Sequence, residues 1–123
     1  VAFELGVKIE GFEIGNEWYV DNSDQFGFTM SPIEYGRVAA YISSILQIEI
    51  LNSEYAENLQ DPEILIQVGP GGDVEKYTPQ GEKVGDAYHG HVVSATELIY
   101  GEIKSAGVVN LVDGLILHRY LIS

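Results

Sequence analysis

The stretch on which the fold turns is Val92-Val93-Ser94-Ala95-Thr96-Glu97-Leu98-Ile99-Tyr100-Gly101-Glu102-Ile103-Lys104-Ser105-Ala106, continued by Gly107-Val108-Val109-Asn110-Leu111-Val112-Asp113-Gly114-Leu115-Ile116-Leu117. It is rich in valine and isoleucine, which suit a pleated, half-buried surface. Asp113-Gly114 sits between two apolar runs, and both residue types tolerate the positive φ of a tight hairpin turn. Taken as strands, residues 87–95, 97–104, 108–112 and 115–122 make a C-terminal β-meander. Taken as a helix, residues 92–106 align Val92, Thr96, Ile99 and Ile103, with Gly101 costing about 1 kcal/mol relative to Ala in its middle. The β-branched content and the turn signal tip the expectation toward the meander.

Working back toward the N-terminus, Ser31-Pro32-Ile33-Glu34 carries a helix start. Ser is the N-cap, Pro takes the first helical position, and Glu three residues after the cap completes a capping box. Tyr35, Val38, Ala39, Ile42, Ile45 and Leu46 follow at three- and four-residue spacings, which predicts an apolar arc on a helix running to about residue 48. Upstream, Phe3, Leu5, Val7 and Ile9 alternate with polar residues or glycine as in a half-buried strand, with a bend or bulge at Gly11. Residues 17–20 and 26–30 flank Asp21-Asn22-Ser23-Asp24 as a hairpin would. Downstream, Asp61-Pro62 closes the polar segment after the helix, because the residue before Pro is pushed out of helical geometry. Residues 64–68 read as a buried strand, and residues 74–78 return as its hairpin partner after the turn Gly69-Pro70-Gly71-Gly72. The expected fold is a single α+β domain over residues 1–123. Antiparallel sheet carries one long helix, about residues 32–48, packed on a sheet face, and the chain ends in the β-meander.

Within the tail, Gly101 through Asn110, with Asp113 and Leu117-His118-Arg119-Tyr120-Leu121, resembles one half of a dockerin module in its glycine, asparagine, late aspartate and Arg-Tyr-Leu positions. That likeness implies a calcium loop, but the first, third and fifth ligand positions fall on Glu102, Lys104 and Ala106. A lysine cannot stand where an oxygen ligand is required, so no calcium site is expected.

The chain has 19 acidic and 6 basic side chains, a net charge of -13, and no cysteine. Nucleic-acid backbones are bound chiefly through Lys and Arg, so nucleic acid is not an expected partner. Between Lys8 and Arg37 there is no basic residue, while Glu10, Glu13, Glu17, Asp21, Asp24 and Glu34 accumulate. Such a surface either keeps the chain soluble by self-repulsion or complements a basic protein. No apolar run reaches the roughly 18 residues of a membrane span. Nothing in the cysteine usage points to a compartment.

The only candidates for metal or proton chemistry are His89 and His91. On a strand at residues 87–95 both imidazoles would project from one face, as paired ligands do. No third ligand lies within reach, so neither a metal site nor a cofactor is expected. No serine sits in a nucleophile elbow, and Gly69-Pro70-Gly71-Gly72-Asp73 lacks the lysine of a phosphate loop. Residues 108–122 are apolar on both strand faces, which calls for cover from another sheet or subunit. Val108, Leu115, Leu117 and Tyr120 are accordingly interface candidates, and Trp18 and Tyr19 join them because adjacent strand residues point to opposite faces, leaving one of the two away from the face its neighbour packs on. The functional expectation is a noncatalytic interaction or structural assembly subunit, a homo-oligomer or a binder of a basic protein. The alternative is a small enzyme whose helix-roofed cleft uses His89 or His91 as general base or metal ligand.

Overall fold

A computed structural model describes residues 5–19, 30–54, 58–59, 61–69 and 75–117. The helix start at Ser31 forms as the sequence predicts. Ser31 Oγ accepts from the Glu34 N–H at 3.2 Å and Glu34 Oε2 accepts from the Ser31 N–H at 2.7 Å, opening helix α1, Pro32–Asn52. The same device recurs in the C-terminal tail. Ser94 Oγ accepts from the Glu97 N–H at 3.1 Å, Glu97 Oε2 accepts from the Ser94 N–H at 3.0 Å, and helix α2, Ala95–Ser105, follows. A helix therefore occupies the residues expected as the second strand of the meander. A 3-10 turn at Val109–Leu111 stands where its third strand was expected.

This second helix changes the sheet. Three strands, β1 (Gly11–Ile14), β2 (Glu63–Gln67) and β5 (Gly114–Ile116), lie in the order β1-β2-β5 with both pairings parallel. Parallel neighbours need long crossovers, and α1 supplies one while α2 lies within the other. The expected antiparallel meander is thus replaced by an α+β architecture whose main sheet is parallel. Among the described residues, antiparallel pairing is confined to the short strands β3 (Lys76–Tyr77) and β4 (Lys83–Val84), with an isolated bridge from Tyr77 to Val93. Of the partner strand expected at 74–78, the described residues 75–78 therefore do not return onto β2.

Asp113-Gly114 shows why the hairpin signal misled. The Asp113 N–H donates to the Ile64 carbonyl, and its Oδ2 accepts from the Ile64 N–H, both at 2.8 Å. The side chain works as a clamp onto β2 rather than a turn former, and Gly114 opens β5 beside it. A Cβ on Gly114 would come within 2.9 Å of Leu65 Cδ2. At the other edge, residues 5–9 are a turn and an irregular segment rather than the end of a strand. They are tied instead to Asn58, through Ile9 N–H to the Asn58 carbonyl at 3.0 Å and Asn58 Nδ2 to the Val7 carbonyl at 2.8 Å. Most of the hairpin expected at 17–30 lies outside the described residues, and Trp18 and Tyr19 sit in a turn.

One sheet face carries Ile14, Ile64 and Ile66, which pack with Tyr35, Ala39 and Ala40 of α1 and Ile99 and Ile103 of α2 into the main core. The helices meet closely at Gly36, where a Cβ would come within 3.1 Å of the Ile99 backbone and 2.9 Å of Glu102 Cβ. Beside that crossing Arg37 Nε pairs with Glu102 Oε2 at 3.2 Å. The buried side of α1 is therefore Pro32, Tyr35, Gly36, Ala39, Ala40 and Ser43, rotated from the expected arc. Val38 and Ile45, placed in that arc by their spacing, are exposed because the close crossing admits only small residues.

Candidate functional site

In a parallel sheet the strands end together, and ligand sites in such folds gather beyond their carboxyl ends. Here the chain leaves β1 through Gly15, whose φ is +80°. The Tyr35 hydroxyl fills the gap that opens there. It donates to the Ile14 carbonyl at 2.7 Å and accepts from the Gln67 N–H at 2.8 Å, joining β1 to β2 where their ladder stops. Burial pushes the Tyr35 pKa up to about 12, against the lowering effect of the Gln67 N–H and with a smaller push from the Glu13 charge.

Trp18 stacks on the Tyr35 ring with centroids 5.3 Å apart and 14° between planes. Tyr19 stands edge-on to Trp18 at 5.6 Å and 82°. Opposite these rings the β3–β4 hairpin brings up Glu75, Tyr77 and Lys83. The Tyr77 hydroxyl donates to Glu75 Oε2 at 2.8 Å, and Lys83 Nζ holds Glu75 Oε1. Between the two sides is an open cleft of about 350 Å³, floored by Met30 and Pro32 at the start of α1.

The electrostatics of this cleft favour an ionised carboxylate and a neutral phenol. The Lys83 hydrogen bond holds the Glu75 pKa below the usual carboxylate range, with a further lowering from Tyr77, while burial acts in the opposite direction. A carboxylate kept ionised in this way is a weak base. Tyr19 is shifted upward, first by burial and then by the Glu17 charge, which disfavours its phenolate. Among the described residues no group of three or more His, Cys, Asp or Glu side chains could hold a metal ion.

Of the residues singled out from the sequence, Trp18 and Tyr19 meet in this cleft, although Trp18 is only 7% exposed. Val108 is buried against the core. Leu115 and Leu117 are exposed on and just after β5, Leu115 beside a smaller apolar hollow of about 200 Å³ that Ile66 and Tyr100 also line. Tyr120 lies outside the described residues. His89 and His91 are exposed in the loop between β4 and α2, not on a strand, so the alternation that would have paired them does not apply. Neither lines the cleft. The contribution of Glu75 and Tyr77 was overlooked, although their spacing of two is what sets both on one side of an extended segment.

A second surface was also missed. On the outer side of α1, Val38, Tyr41, Ile45 and Ile48 recur at spacings of three, four and three, and Tyr41 and Ile48 are 69% and 57% exposed. No described helix is long and apolar enough to cross a membrane. Compared with family models, with curated proteins and with solved structures, the chain matches none.

Proposed function

We propose that this protein is a noncatalytic interaction and assembly module, and that the outer face of α1 docks a second copy of the chain. The observation that carries this reading is the uncovered Val38-Tyr41-Ile45-Ile48 stripe. Its alternation of three and four residues is the seam spacing of paired helices. The stripe is symmetric about residue 43, so an antiparallel pair sets Val38 against Ile48 of the other copy and Tyr41 against Ile45. The same pairing closes each end with Glu34 against Asn52, a carboxylate and an amide. Parallel pairing would instead stack Glu34 on Glu34, and like charges in one layer are repelled.

Four side chains make a seam smaller than the roughly 800 Å² per partner of a stable standard interface. The expected association is accordingly weak, in the micromolar range or above. Sedimentation across a concentration series tests it. The wild-type chain should show a reversible dimer, and Tyr41→Glu or Ile48→Glu should remain monomeric with an unchanged far-UV spectrum. A wild type that stays monomeric to millimolar concentration refutes the reading, as does a dimer that survives both substitutions.

A further inference from the structure

We propose that the cleft between Trp18-Tyr19 and the β3–β4 hairpin binds the ammonium group of a lysine side chain presented by a basic peptide. The cleft is separate from the α1 seam, and its occupancy does not depend on self-association.

Its walls suit a cation. Trp18, Tyr19 and Tyr77 all line the cleft; Trp18 and Tyr77 are buried, and Tyr19, edge-on to Trp18 at 82°, is the more exposed ring. A cation within about 6 Å of such a ring is drawn to its negative face. The charges agree. Glu75 is ionised inside the cleft, Glu34 is bonded to the Ser31 N–H at the rim, and the Glu17 charge reaches the Tyr19 hydroxyl. Lys83, the cation of the lining, already holds Glu75. An anion would meet this excess of carboxylates, whereas a cation is favoured by it. The net charge of -13 steers positively charged partners toward the surface as a whole.

The charge also favours a basic peptide over a free amine, because every added cation of the peptide gains from the same field of the -13 chain, whereas a free amine brings one charge.

Trp18 is the single tryptophan of the chain, so its fluorescence reports on this cleft directly. The full chain would be titrated with a short lysine peptide, with the same peptide carrying trimethyllysine, with one in which an uncharged tert-butyl group replaces the trimethylammonium, and with tetramethylammonium chloride. Saturable changes are expected with both cationic peptides, at least tenfold weaker binding for the neutral isostere, and weaker binding still for the free ion. Tyr19→Leu should weaken the lysine peptide about fivefold. Lys83→Met should tighten it severalfold by releasing Glu75. Binding should persist in Tyr41→Glu, which separates this site from the α1 seam. Equal binding of the neutral isostere, loss of affinity in Lys83→Met, or no saturable response to either cationic peptide at millimolar concentration would each overturn the proposal.

Discussion

The two helices begin in the same way and bury opposite kinds of residue. Helix α2 turns Ala95, Ile99 and Ile103 inward at spacings of four, as an amphipathic helix does. Helix α1 turns Gly36, Ala39, Ala40 and Ser43 inward and leaves Val38, Tyr41, Ile45 and Ile48 outside. The difference follows from where they cross. Side chains at the contact set the distance between helix axes, and α1 meets the α2 backbone at a point where even a methyl group is tight. Hydrophobicity alone would have favoured burying valine and isoleucine. Available space decided instead, and the displaced apolar residues became the outer stripe.

One substitution, glycine to alanine, should act in opposite directions in the two helices. Gly36→Ala places a Cβ within 3.1 Å of the Ile99 backbone, which has no flexible end to yield. Overpacking of that kind should lose about 2 to 3 kcal/mol even though alanine is the better helix former. Gly101 in α2 has nothing within 4 Å of the same added carbon, so Gly101→Ala should stabilise by up to about 1 kcal/mol. Denaturant midpoints of the two variants should therefore move in opposite directions. If both rise, the close crossing at Gly36 is wrong.

Tyr35 is the large exception on the buried side of α1, and its hydroxyl explains it. Tyr35→Phe keeps the ring stacked on Trp18 but leaves the buried Gln67 N–H and Ile14 carbonyl without that partner, a loss of about 2 kcal/mol. The pH dependence has a definite sign. The folded pKa of about 12 lies above the unfolded value of 10.0, so between them the unfolded state releases a proton that the folded state keeps. Stability is unaffected by this group below pH ~10 and falls as pH rises toward 12, by about 2 to 3 kcal/mol in all. Tyr35→Phe should flatten that alkaline slope. An unchanged slope would mean that Tyr35 ionises as readily in the folded chain as in the unfolded one.

How much of this was legible beforehand depended on whether a local signal coincided with a tertiary demand. Ser31-Pro32-Ile33-Glu34 was readable because capping is settled within four residues, and β2 was readable as a short apolar run. Ser94-Ala95-Thr96-Glu97 carries the same capping spacing, but the valine and isoleucine content of the tail and the Asp113-Gly114 turn signal made strands look plausible and Gly101 argued against a helix. Gly101 is tolerated because burial of Ala95, Ile99 and Ile103 outweighs its cost of about 1 kcal/mol, which no local pattern reveals. Asp113-Gly114 was misread since its side chain answers to Ile64, 49 residues away. Half of the cleft was visible as Trp18-Tyr19. Its other half depends on the short β3–β4 hairpin, which only the tertiary fold brings beside Trp18 and Tyr19, so Glu75 and Lys83 carried no sequence mark of a site.

The smallest expected effect tests whether the two helix starts are equivalent in energy as well as in geometry. Both caps use a serine hydroxyl on the N3 N–H and a glutamate returned to the cap N–H, at distances agreeing within 0.3 Å (2.7 against 3.0 Å for the glutamate, 3.2 against 3.1 Å for the serine). Removing the serine hydroxyl usually costs about 1 kcal/mol. Ser31→Ala and Ser94→Ala should each lose about that much, measured as a shift in denaturation midpoint at constant slope. Amide exchange then distinguishes the helices. In α1 the faster-exchanging amides after Ser31→Ala should be limited to the first turn, because Tyr35 and Gly36 are buried one turn further on. In α2 only Ala95, Ile99 and Ile103 are buried, and the 11-residue helix is about half as long as the 21-residue α1. Fraying there should extend to Ile99 and loosen the crossing at Gly36. A Ser94→Ala variant with native stability and unchanged exchange at Ile99 would show that α2 is held by packing on α1 alone, with its cap contributing nothing.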